Sequence, residues 1–344
     1  MSTETPILDT ESIVQEILAS IDREREREII ARRFGLFDRK ETLEQIGELL
    51  GITRERVRQL EKSVMTRLRS TSADLPHISE VQEALATTLK AAGETARITA
   101  LGASLTAENS RTDQSRLAFL TELTPSIATV QEDDNYYQAA GTEGTHDTAT
   151  IKKEVEKLVA TVKTAGVPLE TKELTKQAGM QADRYTAALA SISKQLATLN
   201  GRWGLVKWPT VNPKNIRDKI YVILAENGKH MHFNEIAEAI KASDFKRKDV
   251  TTQAIHNELI KDKRFVLIGR GIYALREWGY KKGTVADIIA QVLKEANEPL
   301  HRDEIVKRVL KSRFVKETTI LLNLQSKNQF KRVAKATYEL AEAE

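Results

Sequence analysis

Cysteine is missing altogether from the 344 residues, which excludes a disulfide framework, thiol catalysis and every cysteine-ligated zinc site. No run of about 20 apolar residues is present to span a bilayer, so no membrane association is expected. The start, MSTETPILDTESIVQEIL, lacks a basic stretch ahead of an apolar core. No secretory signal is therefore read, and a cytoplasmic, nucleoid-associated protein is expected. There is no G-x-S-x-G, no Walker lysine and no clustered carboxylate set. The glycine pairs in GRWG and GRG precede no phosphate-binding helix. The repeated H-x-x-E of His232 with Glu235 and His301 with Glu304 reads as two helix starts, with glutamate in the first turn where the helix dipole favours it. No enzyme activity, cofactor or metal is expected.

What is present is charge, unevenly distributed. The net charge is only +4. Residues 77–147, however, carry 4 basic and 11 acidic groups, residues 148–213 carry 10 and 5, and residues 214–282 carry 15 and 9. An acidic stretch followed by two basic ones suggests surfaces that meet protein and surfaces that meet nucleic acid, although solvated charge alone can produce the same asymmetry. Clusters of Gly, Pro, Ser and Thr at 70–76, 141–150, 209–213 and 280–283 punctuate the chain. They divide it into segments 1–75, 76–142, 148–209, 213–280 and 283–344.

The last four segments repeat one another. Each opens with an amphipathic helix, such as Ile151, Val155, Leu158, Val159 and Val162, or Val285, Ile288, Ile289, Val292 and Leu293. A turn, two further helices and two short alternating runs follow. The endings RFVLIGRGIYAL and QFKRVAKATYEL read as hairpins. The predicted fold is therefore mainly α, an N-terminal helix-turn-helix domain followed by four tandem small winged-helix domains with short β-hairpin wings. The third and fourth repeats, through HFNEIAEAI, HRDEIVKRV and the aromatic-ended wing, resemble the HARE-HTH winged helices, the family that includes the N-terminal domain of the bacterial RNA polymerase delta subunit. The first two resemble it more loosely.

Residues 22–70 carry the sharpest motif. Ile29, Ile30 and Phe34 form an apolar face and Gly35 ends that helix. Thr42 with Gln45 reads as a capping box, followed by Leu43, Ile46, Leu49 and Leu50. Gly51 and Ile52 make a tight turn, and Thr53 caps a last helix that turns Val57, Leu60, Val64 and Leu68 inward. In a helix-turn-helix the first turns of that last helix enter the major groove. That places Arg54, Glu55, Arg58 and Gln59 toward base edges, with Arg56 and Lys62 nearer phosphates. Arginine can fork onto guanine, glutamate can accept from cytosine and glutamine can bridge adenine. The competing reading is a solvated helix laced with its own i to i+4 pairs.

The runs RFGL and TLEQIGELLGITRERVRQLE are also similar to region four of primary bacterial sigma factors. The resemblance implies that Arg54, Glu55, Arg58 and Gln59 read an upstream promoter hexamer. It also implies that the helices before the turn dock on the flap of the polymerase β subunit. Aromatics make up 5% of the chain and none lies upstream of residue 22, so strand capture and promoter melting are not expected. Among the winged helices, Arg202 in the tip read as Gly201–Gly204, Arg270 between Gly269 and Gly271, and Gln253, His256, Asn257 and Lys261 on a third helix favour DNA. The first tip, Glu132 to Asn135, and the fourth, with Lys335 alone, suit protein contacts or spacing. The helix TTILLNLQSKN is expected to spend Leu321, Leu322 and Leu324 on apolar contact. Trp203, Trp208 and Trp278 are read as closing small cores. The partners expected are double-stranded DNA and RNA polymerase. The function expected is that of a transcription regulator, against an accessory or inhibitory polymerase-binding protein and, third, the targeting subunit of a DNA-modifying system.

Overall fold

A computed structural model describes residues 7–142, 147–245 and 249–341, so part of the 141–150 linker lies outside the described residues. The chain forms two compact units, Met1–Lys207 and Trp208–Glu344. Among the described residues it is mainly helical, with small antiparallel three-stranded sheets.

The first unit opens with four helices, α1 Thr10–Ala19, α2 Glu24–Phe34, α3 Leu43–Leu50 and α4 Arg54–Ser70. The start signals act as the sequence suggested. Thr42 and Gln45 exchange bonds as a capping box, and Thr53 accepts from the Arg56 amide. The turn between α3 and α4 depends on two glycines. Gly51 sits at φ +63°, where a Cβ is strained. At Gly47 a Cβ would stand 2.7 Å from the Ile52 carbonyl oxygen, so only glycine lets the turn fold back onto α3. Ile29, Ile46 and Val57 form the small core at the heart of the three helices. Leu49 departs from expectation: it is 55% exposed, because the eight-residue α3 turns only a narrow stripe inward.

Four modules of identical order follow. The first comprises α5 Ile78–Ala92, β1 Thr95–Arg97, α6 Ile98–Leu105, α7 Arg111–Leu123, β2 Ile127–Val130 and β3 Ala139–Thr142. The second comprises α8 Thr148–Ala165, β4 Leu169–Glu170, α9 Thr171–Ala178, α10 Asp183–Ile192, β5 Leu196–Leu199 and β6 Arg202–Leu205. In the other unit, the third comprises α11 Ile216–Asn227, β7 Met231–His232, α12 Phe233–Ala242, α13 Thr252–Lys261, β8 Phe265–Gly269 and β9 Ile272–Leu275. The fourth comprises α14 Val285–Ala296, β10 Leu300–His301, α15 Arg302–Leu310, α16 Glu317–Ser326, β11 Phe330–Ala334 and β12 Thr337–Leu340. In every module the last strand lies in the middle, between the short strand before the second helix and its hairpin partner.

In the first unit, one core runs from Leu8 to Ala140 and joins the helix-turn-helix segment to the first module. Helix α1, capped by Asp9, buries Ile13, Val14, Ile17 and Leu18 in it. The Phe34 and Phe119 rings meet edge to face at 5.1 Å. Arg116 of α7 is buried and ties the two together, with Nε donating to the Leu36 carbonyl at 2.7 Å and Nη2 to Glu11 at 2.7 Å.

The first two modules are clamped through the loop between β2 and β3. Glu132 pairs with Lys194 at 2.8 Å and Asp133 with Lys152 at 3.4 Å. The Asn135 carbonyl accepts from the Lys194 amide, and Tyr136 forms a backbone bridge with Ser193. The Tyr136 hydroxyl donates to Glu156 at 2.9 Å. The acidic tip thus meets protein, and that protein is the basic module next in the same chain.

Candidate nucleic-acid interface

Thr53, Arg54, Glu55, Arg56, Arg58, Gln59 and Lys62 all lie exposed on the first turns of α4. Buried Val57, Val64 and Leu68 fix which way the helix faces. Glu55 and Arg58 form a two-pronged ion pair, with Arg58 Nε and Nη2 at 2.8 and 2.6 Å from the carboxylate oxygens. That bond from Arg58 holds the Glu55 carboxyl below its usual range. Gln59 donates to Glu55 at 3.5 Å, and Arg56 donates to the Gln59 oxygen at 3.4 Å. The pairing foreseen for a solvated helix is therefore present, at i, i+4 between Glu55 and Gln59 and at i, i+3 between Glu55 and Arg58. It holds donor and acceptor side by side on the face that a groove would meet.

The frame behind this face is held by ion pairs that sequence reading missed. Buried Glu26 of α2 accepts from Arg67 at 2.7 Å, and Arg33 reaches Glu61 at 3.3 Å. Arg69 binds Glu122 of the first module at 2.6 Å. Their i to j separations carry no local signal.

The other expected contacts are dispersed over separate modules. Arg202 is exposed, but the turn is Asn200–Gly201, with φ of +48° and +74°, and Arg202 already begins β6. Trp203 and Gly204 are not at the tip: both are buried, and the Trp203 Nε1–H donates to Thr171 Oγ1 at 3.2 Å. Trp203 closes a core, as does Trp278 against Val266, Ile268 and Ala274. Arg270 stands exposed in the turn between β8 and β9. Gln253, Asn257 and Lys261 share the exposed face of α13, with Gln253 donating to Asn257 at 3.2 Å. His256 does not join them. Its ring packs between Phe233 and Tyr273, at 5.2 and 6.2 Å, because its position in α13 turns toward the sheet. On α16, Ile320 and Leu324 are buried while Leu322 is 62% exposed. His232 and His301 each accept a backbone N–H at a helix start, and Glu235 completes a capping box with His232. No group of three or more such side chains is placed to hold a metal among the described residues. No described helix is long and apolar enough to cross a membrane.

Residues 23–70 match the family described as Sigma-70, region 4. This stretch is a sigma-70 region 4 domain. RNA polymerase sigma factor RpoD of Helicobacter pylori is 45% identical over 64 residues, 18% of this chain and 9% of that protein. RNA polymerase sigma factor RpoS of Coxiella burnetii is 43% identical over 63 residues, 18% of each chain. RNA polymerase sigma factor sigB of Arabidopsis thaliana is 49% identical over 47 residues, 13% of this chain and 8% of that protein. The chain thus spans less than a fifth of the length of these relatives.

Proposed function

We propose that this protein is a transcription regulator that reads promoter-like duplex DNA through α4 and associates with RNA polymerase. The observation that carries the reading is the exposed Arg54, Glu55, Arg58 and Gln59 quartet. It is aimed by the Gly51 turn and the Thr53 cap within a sigma-70 region 4 domain. The relatives' names link such domains to RNA polymerase. A groove of about 520 Å³ along α1 and α2, lined by Leu18, Ala31 and Phe37 together with Gln15, Glu24, Arg27 and Glu28, is the surface we assign to the polymerase flap. We read the four modules, bounded near 76–142, 148–209, 213–280 and 283–344, as winged helices, the third and fourth of the HARE-HTH kind. Their three helices and three-stranded sheets, with the hairpin on one side, support that reading. Arg202, Gln253, Asn257, Lys261 and Arg270 then add phosphate and groove contacts.

The test is a titration at fixed salt. Arg58→Ala should lose about 1–3 kcal/mol of discrimination between the preferred site and random duplex. Equal losses on both DNAs would leave a polymerase-binding accessory protein with non-specific DNA contact as the better reading.

A further inference from the structure

The first module has the most acidic sequence in the chain, yet its edge beside the helix-turn-helix is cationic. Three of its carboxylates are engaged: Glu122 by Arg69, Glu132 by Lys194 and Asp133 by Lys152. Two clefts open along that edge and share Lys40 and Gln138. The smaller, of about 510 Å³, is walled by Arg58, Lys62 and Arg69 of α4, with Glu61 and Glu122, both ion-paired, as its carboxylates. The larger, of about 600 Å³, is walled by Arg39, Lys40, Arg97 and Arg111, with Asp38 and Glu132 as its carboxylates.

Three of these cations have no structural task. Arg39, Lys40 and Arg111 are exposed and make no ion pair with any described residue. Arg111 is the first residue of α7, where the helix dipole disfavours a positive charge. Arg97, by contrast, is anchored, with its guanidinium 3.8 Å from the Tyr137 ring centroid and Nε donating to the Ser191 carbonyl. The loop that carries Arg39 and Lys40 is pinned at both ends, by the Arg116 bond to Leu36 and by the Glu41 amide bond to the Arg32 carbonyl at 3.0 Å. The backbone that carries Arg39 and Lys40 is therefore held in place before any partner arrives.

We propose that this lane binds a sugar-phosphate backbone, carrying duplex DNA from the read site on α4 across the edge of the first module. The proposal rests on α4 as the base-reading helix. A nucleic acid fits better than an acidic protein surface. The lane continues the exposed face of α4, and its guanidinium and ammonium groups outnumber its carboxylates, of which Glu61, Glu122 and Glu132 are already ion-paired.

The experiment compares the full-length wild type with R39A/K40A/R111A on two duplexes, one ending flush with the preferred site and one extended by about one helical turn on each side. The wild type should bind the extended duplex about 10-fold more tightly or better, and the variant should bind both alike. The slope of log affinity against log salt should fall by about 2–3, since each phosphate contact contributes about 0.9. The ratio of preferred to scrambled site should not change. R39K/K40R/R111K should behave as wild type. An alanine variant that keeps the wild-type slope and length preference would overturn the lane. So would a variant that loses polymerase retention alone, which would assign the surface to protein. Loss of the length effect in the charge-preserving variant would also overturn it. Failure of both proteins to distinguish preferred from scrambled DNA, with the length effect intact, would remove base reading and leave the lane standing.

Discussion

At the residue scale, the helix-turn-helix was legible because its signals are local. The Thr42–Gln45 box, the Gly51 turn and the Thr53 cap each act within four residues, and each is in place. Thr53→Ala should lower the stability of the first unit by about 1 kcal/mol, measured by denaturant unfolding. It should also weaken DNA binding through a frayed first turn of α4. Gly47→Ala should cost more, about 1–3 kcal/mol, because the atom its Cβ meets is the Ile52 backbone carbonyl, which cannot swing away. A variant as stable as wild type would show that the turn tolerates a wider approach. Burial of single positions was read less well. Leu49, Leu322 and His256 were assigned from spacing alone, but short helices of eight to ten residues turn too little surface inward for spacing to fix every position.

At the element scale, the repeat of helices was legible and the strand before each second helix was not. Strands β1, β4, β7 and β10 are two or three residues long, too short to show alternation. Their pairing with the last strand of each module is non-local. Helix α1 did carry a signal, in Ile13, Val14, Ile17 and Leu18 behind the Asp9 cap, yet it belongs to no repeat and was passed over. The Tyr136 hydroxyl is one part of the clamp between the first two modules. Burial and the bond to Glu156 push its pKa to about 12, so it remains a donor throughout the physiological range. Tyr136→Phe should destabilise the first unit by about 1–2 kcal/mol.

In the fourth module, bonds from the Thr284 amide and hydroxyl hold the Asp287 carboxyl below its ordinary value of 3.8. A depressed carboxyl stabilises the fold fully above its unfolded pKa and loses that contribution as pH falls through the folded value. Wild type should therefore exceed Asp287→Asn in thermal stability near neutrality, and the gap should close below about pH 4. A gap that stayed constant with pH would remove the cap from the explanation.

At the scale of the whole molecule, net charge by segment proved a partial guide. It marked the second and third modules as basic, and it set the acidic tip aside for protein contacts or spacing, the first of which the pairs with Lys194 and Lys152 show. It did not show that the acidic module turns Arg97 and Arg111 to one edge, because sums carry no direction. If α4 reads duplex DNA as proposed, the protein should recruit or block polymerase without opening a promoter. Permanganate footprinting with core polymerase and this protein alone should leave thymines unreactive, since opening disrupts stacking at a cost of a few kcal/mol per step. Trp203, two residues beyond the Asn200–Gly201 turn, is itself buried, and the exposed Tyr137 beside the acidic tip is covered by the Arg97 guanidinium.

The claim on which the rest depends is that α4 reads base sequence. Selection of bound duplexes from a random library by the full-length protein tests it most directly. Wild type should enrich one short motif, and Glu55→Ala and Arg58→Ala should each relax it at one or two adjacent base pairs while total binding at low salt changes little. Recovery of no motif by wild type, or the same motif undiminished by both variants, would contradict it.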